Sequence, residues 1–240
     1  MALRCVVLLA LVLAGFAANS QDTEKKKTVR PDIPGSLLVE LGVNVKNGIT
    51  PPNFDKGFWG SRTFNVYYQY PLRLFKSKIS FNPGIGLSLE RWKLTNDYTL
   101  ASQPGSDGTY RLLPADSVFP GTIHRSQIVN NYVEVPLEFR FDTNPEDIAR
   151  SFNISLGGRF GYLYDSFTKV DYRDNSENKS NKDKQRHGMN PYRYGVYSRI
   201  GLGGFSIFGY WNISPMFEAD KGPVKTTMNS LTFGISINGF

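Results

Sequence analysis

From Ser36 onward, apolar and polar residues alternate with a period of two along most of the chain, as β-strands with two unlike faces require. Eight such runs are legible, over 36–45, 62–72, 79–93, 128–141, 152–167, 192–202, 205–213 and 228–240. In the first, Leu37, Val39, Leu41, Val43 and Val45 oppose Ser36, Glu40, Gly42 and Asn44, with Leu38 out of phase. In the fourth, Val133, Val135, Leu137, Phe139 and Phe141 oppose Tyr132, Glu134, Glu138 and Arg140. The seventh is the least regular, because Phe208 falls among the polar positions. Several runs exceed the ordinary strand length of about five or six residues. They match the roughly nine to eleven residues that a tilted strand needs to cross a bilayer.

The connections alternate in length. Long ones span 46–61, 95–127, 170–191 and 214–227, and short ones span 73–78, 142–151 and 203–204. Long loops at one rim and short turns at the other predict an all-β, eight-stranded, antiparallel, up-and-down transmembrane barrel. The even strand number predicts both termini at the short-turn rim, facing the periplasm of a Gram-negative outer membrane.

A soluble sandwich or lipocalin-like barrel would alternate too, but with its charged face outside. Here the large apolar residues share one face and most glycines the other, as suits lipid outside and a narrow lumen inside. The polar face carries Glu40, Glu90, Glu134, Glu138, Asp165, Arg140, Arg159, Arg193 and Arg199. Five acids against four arginines predict a paired charge network plugging the lumen, since unpaired charges there would be costly. Trp92, Tyr164, Tyr192 and Trp211 towards the long loops, and Phe81, Phe139, Phe141, Phe152 and Phe205 towards the short turns, predict two aromatic girdles.

The ends refine the picture. Arg4, the apolar run 5–15 and the small residues of 16–20 read as a secretory signal peptide over 1–20, too short to span a membrane. Residues 21–35, with Lys25, Lys26, Lys27 and Arg30, read as a flexible basic periplasmic extension before a single barrel domain over 36–240. Cys5, the one cysteine, lies in the signal, which excludes disulfides and thiolate chemistry from the mature chain. The net charge of +7 is modest and reads first as a solvated basic surface, with anionic lipid or lipopolysaccharide as the alternative partner, and nucleic acid is excluded for an exported chain. Phe240 supplies the terminal aromatic common among substrates of the outer-membrane assembly machinery, although Gly239 puts it out of phase with Leu231, Phe233, Ile235 and Ile237, so that either a glycine bulge or fraying is expected.

The stretches 58–62 (Phe-Trp-Gly-Ser-Arg), 82–87 (Asn-Pro-Gly-Ile-Gly-Leu) and 135–141 (Val-Pro-Leu-Glu-Phe-Arg-Phe) resemble the Bacteroidota small outer-membrane β-barrel family, often labelled PorT-like. So do 190–195 (Asn-Pro-Tyr-Arg-Tyr-Gly), Ser214-Pro215-Met216-Phe217 and Lys221-Gly222-Pro223. The resemblance implies an eight-stranded outer-membrane barrel and no common activity. Some members of the family are accessory parts of secretion or assembly machinery, so protein partners in a complex are implied as well.

Candidate chemistry is sparse. His124 and His187 both fall in long connections, His187 beside Asp183, Lys184 and Arg186, and both read as solvated loop residues. Glu134 and Glu138 share a strand face, but salt bridges to the lumen arginines account for them without an acid–base role. The run 171–186 mixes acids and bases but lacks the glycine and the closing glutamate of a calcium loop. No catalytic, metal or cofactor residues are assigned. The expected function is a non-enzymatic scaffold or interaction subunit, with an accessory place in a secretion or assembly complex as its finer form. The alternatives are a rim enzyme acting on lipid or peptide through a histidine, and a narrow solute channel, the latter disfavoured because eight strands enclose little more than their own side chains.

Overall fold

The structure, a computed structural model, describes residues 35–75, 77–223 and 226–239. The expected signal peptide, nearly all of the basic extension and Phe240 lie outside the described residues. Eight long strands form the body: β1 (Ser36–Asn47), β2 (Arg62–Gln69), β3 (Ile79–Leu94), β4 (Thr122–Asp142), β5 (Phe152–Asp174), β6 (Tyr192–Leu202), β7 (Phe205–Asn212) and β8 (Asn229–Asn238). Each pairs antiparallel with its neighbours in sequence, and β8 pairs with β1, so the ladder closes into a barrel. Leu38 opposite Asn238 and Asn47 opposite Asn229 fix the closing register.

The faces are inverted relative to a water-soluble barrel. Glu40, Asn65, Glu134, Glu138, Arg159 and Arg199 are buried inside, while Leu156 and Leu202 on the outside are 65% and 63% exposed. An apolar belt of that extent is stable only against lipid. Of the expected girdle residues, Tyr164, Tyr192 and Trp211 face outward at the long-loop rim, as do Phe139, Phe141, Phe152 and Phe205 at the other. Trp92 does not: it is wholly buried, because Trp92 stands in the inward phase of β3 between Arg91 and Lys93.

Short turns are built where the sequence permits them. Gly203 and Gly204 link β6 to β7, and Gly203 adopts φ of 60°. A side chain there would collide with the Ala149 carbonyl at 2.4 Å, so glycine answers both strain and space. Gly239 takes φ of 105° and its N–H donates to the Leu37 carbonyl at 3.2 Å.

The long-loop end departs from expectation. The segment 170–191 is not wholly loop. β5 runs on to Asp174, and a seven-residue strand, Glu177–Asp183, folds back on it through Asn175 and Ser176, both at positive φ. β4 likewise starts at Thr122, six residues before the expected 128. These pieces form a three-stranded extension rising beyond the barrel. A small hairpin of Tyr98–Leu100 and Leu112–Pro114 also forms in the preceding connection. A β-bulge accompanies the extension: Asn131 pairs with Asp165 but Tyr132 pairs with Leu163, so Tyr164 is the extra residue. Below it the odd residues of β5 face inward, and above it Ser166, Thr168 and Val170 do.

Candidate functional site

The interior contains two stacked structures. In the middle of the barrel, Glu40, Glu134 and Glu138 interleave with Arg159, Arg193 and Arg199. The Arg159 guanidinium donates to Glu40 at 2.7 Å and to the Tyr67 hydroxyl at 3.2 Å. It also lies over the Tyr197 ring at 4.1 Å and the Tyr210 ring at 5.1 Å. Arg199 donates to Glu138 and stands 3.8 Å from Glu40. Arg193 sits 3.5 Å from Glu134, which also accepts the Tyr67 hydroxyl proton. Tyr197 donates to Glu138 at 3.0 Å, and Asn65 donates to Glu40 at 2.9 Å. The acids come from β1 and β4 and the arginines from β5 and β6, so the network spans the lumen and ties opposite walls. Small inner-face residues make room: a side chain on Gly157 would meet the Tyr197 ring at 2.8 Å, and one on Gly161 would meet Glu134 at 2.9 Å.

Three of the nine charged residues expected in this network stand apart from its ion pairs. Arg140 is buried but turns to the short-turn end, where it makes a two-pronged pair with Asp142 at 2.9–3.0 Å. Asp142, two residues along the same face, is the nearer partner. Asp165 is not in the lumen, because the bulge at Tyr164 reverses the strand phase. It accepts from Asn131 at 3.0 Å and stands 4.0 Å from Lys184. Glu90 is buried higher in the barrel, where its charge acts on Arg193. Tyr67, Tyr197 and Tyr210 complete the network. Their inward phase was readable, but their role as ring platforms for guanidinium groups was not.

Above the charges lies an apolar cluster of Phe54, Trp92, Leu94, Leu100, Ile128, Tyr132, Leu163, Met189, Met216, Phe217 and Met228. All four long connections or their strand ends contribute to it. Backbone hydrogen bonds stitch them together: Met216 N–H to Met228 O at 2.7 Å, Asn190 N–H to Met216 O at 3.0 Å, and Tyr110 N–H to Lys221 O at 2.9 Å. Trp92 and Phe54 meet edge to face, 5.7 Å apart.

His187 belongs to this lid and is not solvated, contrary to the reading of its charged neighbourhood. It is 1% exposed, its Nε2 lies 3.2 Å from Asp183, and Tyr110 packs edge-on against it at 5.7 Å. The chain turns inward here because His187 and Gly188 both take positive φ. Burial alone would raise the Asp183 carboxyl, but hydrogen bonds from Gln185, Ser102 and His187 outweigh it and hold the group below its usual range. His124 is exposed, beside a surface cleft lined by Arg125, Asp171, Arg173 and Lys179. Among the described residues no group of His, Cys, Asp and Glu is placed to hold a metal ion.

The arrangement can bind and brace. Charges that span the lumen and an apolar cap above them occupy the space through which a solute would pass, while the long connections form an ordered surface.

Residues 20–218 match the family described as outer membrane protein beta-barrel domain, and the chain belongs to that family. No curated protein matches the chain. Among solved structures, the chain is similar to Neisserial surface protein A (NspA), with 7% identity over 85% of this chain and 96% of that one and a TM-score of 0.37. It is also similar to Ail, the attachment invasion locus protein of Yersinia pestis, with 12% identity over 86% of this chain and 100% of that one and a TM-score of 0.35. These likenesses are distant, and the fold stands on the closed strand ladder itself.

Proposed function

We propose that this outer-membrane barrel is a sealed, non-catalytic scaffold that holds an ordered platform at the cell surface for a protein partner. The observation that carries the reading is the double closure of the lumen beneath connections that are themselves hydrogen-bonded into sheet. A channel has no use for such a plug, and a rim enzyme needs a reachable histidine with an acid beside it, whereas His187 is enclosed and the exposed His124 has no carboxylate partner among the described residues. The family supports a place in the Gram-negative outer membrane, and the platform reading puts the long-loop end outside. Both termini then lie in the periplasm, as the pairing of Leu38 with Asn238 at the short-turn end supports. Export by the signal over 1–20 and insertion by the outer-membrane assembly machinery fit that placement, as does service as an accessory subunit of a secretion or assembly complex.

The test is a native pull-down from mild-detergent outer membranes, comparing the full chain with a variant whose 98–114 hairpin is replaced by a short glycine–serine link. We expect stoichiometric partners with the first and their loss with the second. Identical recovery from both would refute the platform reading. Planar-bilayer recording supplies the second arm: steady conductance from the intact protein would refute the seal.

A further inference from the structure

The outward face of the barrel is electrically one-sided. Beyond the apolar belt on β2 and β3, the outward position after Phe64 is Arg62 and the one after Leu89 is Arg91, followed by Lys93. On the extension, Arg125, Lys169, Arg173 and Lys182 take outward positions. Strand register aligns them. Lys93, Gln127, Lys169 and Lys182 occupy one cross-strand row, and Arg62 stands directly opposite Arg91 in the row below. Adjacent strands lie about 4.8 Å apart, so these are contiguous charges. On the other half of the rim the corresponding outward residues are Tyr192, Tyr194, Trp211 and Ile213.

Two features of this face call for an anion. Like charges directly opposite one another destabilise a strand pair, yet Arg62 faces Arg91 and Lys169 faces Lys182. The carboxylates on this face are also already engaged: Asp171 pairs with Arg125 and accepts from Ser180, with Lys169 at 3.6 Å, and Asp165 accepts from Asn131 with Lys184 at 4.0 Å. Among the described residues, Arg62, Arg91, Lys93, Arg173 and Lys182 have no carboxylate partner. Lys182 instead rests over the Phe167 ring at 3.6 Å. The position selects the anion. Arg62 and Arg91 border the lipid-facing belt, and Lys169 stands five residues beyond Tyr164, about 16 Å further along the strand. A soluble ligand would have no reason to meet cations graded from the membrane edge outward on a single flank.

We propose that this cationic flank binds the phosphate groups of outer-leaflet glycolipid headgroups, with Arg62, Arg91 and Lys93 nearest the acyl chains and Lys169, Arg173 and Lys182 further out. The site holds one patch of phosphorylated lipid against β2–β5 and leaves the aromatic flank to neutral contacts.

The test compares the full chain with the charge-removing variant R91Q/K93Q/K169Q/K182Q and the charge-keeping variant R91K/K93R/K169R/K182R. Each is purified in mild detergent, and its folding is checked by heat-modifiable gel migration. Phosphorylated lipid A co-purifying per barrel is then measured. We expect a drop of roughly tenfold or more in the first variant, from the loss of four cations beside an anionic surface, and retention in the second. The variant R73Q/R150Q, at the opposite rim, should retain it as well. Thermal stability is read in the same proteins after adding lipid A in detergent micelles or inorganic phosphate alone. Stabilisation of the full chain by lipid A and not by phosphate is expected. Equal lipid retention by the charge-removing variant would overturn the proposal, and equal stabilisation by inorganic phosphate would replace it with a site for soluble anions.

Discussion

The middle of the lumen and its long-loop end are filled by opposite means. The middle is held by three acids and three arginines in directional contact, each carried by a strand whose register is set by its neighbours. The long-loop end is held by methionines, leucines and aromatics: Phe54, Met189, Met216, Phe217 and Met228 come from irregular backbone and close over Trp92, Leu94, Leu100, Ile128, Tyr132 and Leu163 on strands. Strands can aim a guanidinium at a carboxylate because their outward residues lock them against lipid and their ladders fix rotation and height. Loops have no such register, so burial that is indifferent to direction is the workable glue there, and flexible methionine suits it. The first seal should therefore fail abruptly when one member is removed, and the second should fail gradually and locally.

The largest effect is expected from Arg159→Met. It strips Glu40 of its 2.7 Å partner and leaves a buried carboxylate relying on Arg199 and Asn65, at a cost of about 3–5 kcal/mol. Urea unfolding of the protein in lipid vesicles would measure it. Adding Glu40→Leu should recover much of the loss, because the stranded charge goes with it. If the double variant is as unstable as the two single losses added together, the pair is not coupled and the abrupt-failure half of the comparison is wrong.

Met216→Ala should cost less, roughly 2–3 kcal/mol, at the low end for a buried methionine because loops can settle into the space. Its signature is place rather than size. Hydrogen exchange should quicken in 213–228 and around Met189, which bridges to Phe217, while β1 and β8 keep their protection. Uniform loss of protection through the barrel would mean that lid and lumen are one cooperative unit.

The contrast also marks what was legible in the chain. Strands exposed to lipid on one side and charge on the other announce themselves by alternation, so the eight strands, their inward glutamates and arginines, and even the misfit Leu38 and Phe208 could be placed. Both misfits proved to be inward apolar residues. The bulge at Tyr164 was not legible, since Asp165 and Ser166 are equally plausible inward residues and only pairing with β4 decides between them. Trp92 was misplaced because tryptophan near a strand end suits an interface as well as a core. The lid was invisible: Phe54, Met189, Met216 and Phe217 follow no period, and only tertiary packing gathers them. His187 was obscured by its charged neighbours: Lys184 and Arg186 are exposed, while Asp183 meets His187, which the positive φ at 187 and 188 turns in.

A smaller, pH-dependent effect tests the lid from its polar edge. The Asp183 carboxyl is held below its usual range in the folded protein, so its contribution is complete at neutral pH and is lost as acid protonates it. Acidification through and below the ordinary carboxylate range should loosen the 183–190 turn, and limited proteolysis should cut there before the barrel melts. Asp183→Asn should flatten that acid response at the turn, with a stability loss of about 1 kcal/mol at neutral pH. An acid response unchanged in the variant would assign it to other carboxylates.

The smallest expected effect is the sharpest check on strand phase. Asp165 and Glu40 are both acids on barrel strands, and simple alternation places both inside. With the bulge at Tyr164, Asp165 is half-exposed, held by Asn131 and a distant Lys184, and Asp165→Asn should change stability by no more than about 0.5 kcal/mol. Without the bulge, the same substitution would remove a buried charge from among arginines and cost several times as much. Unfolding of this one variant, set beside Arg159→Met, therefore locates the boundary where the strand-built lumen ends and the loop-built lid begins.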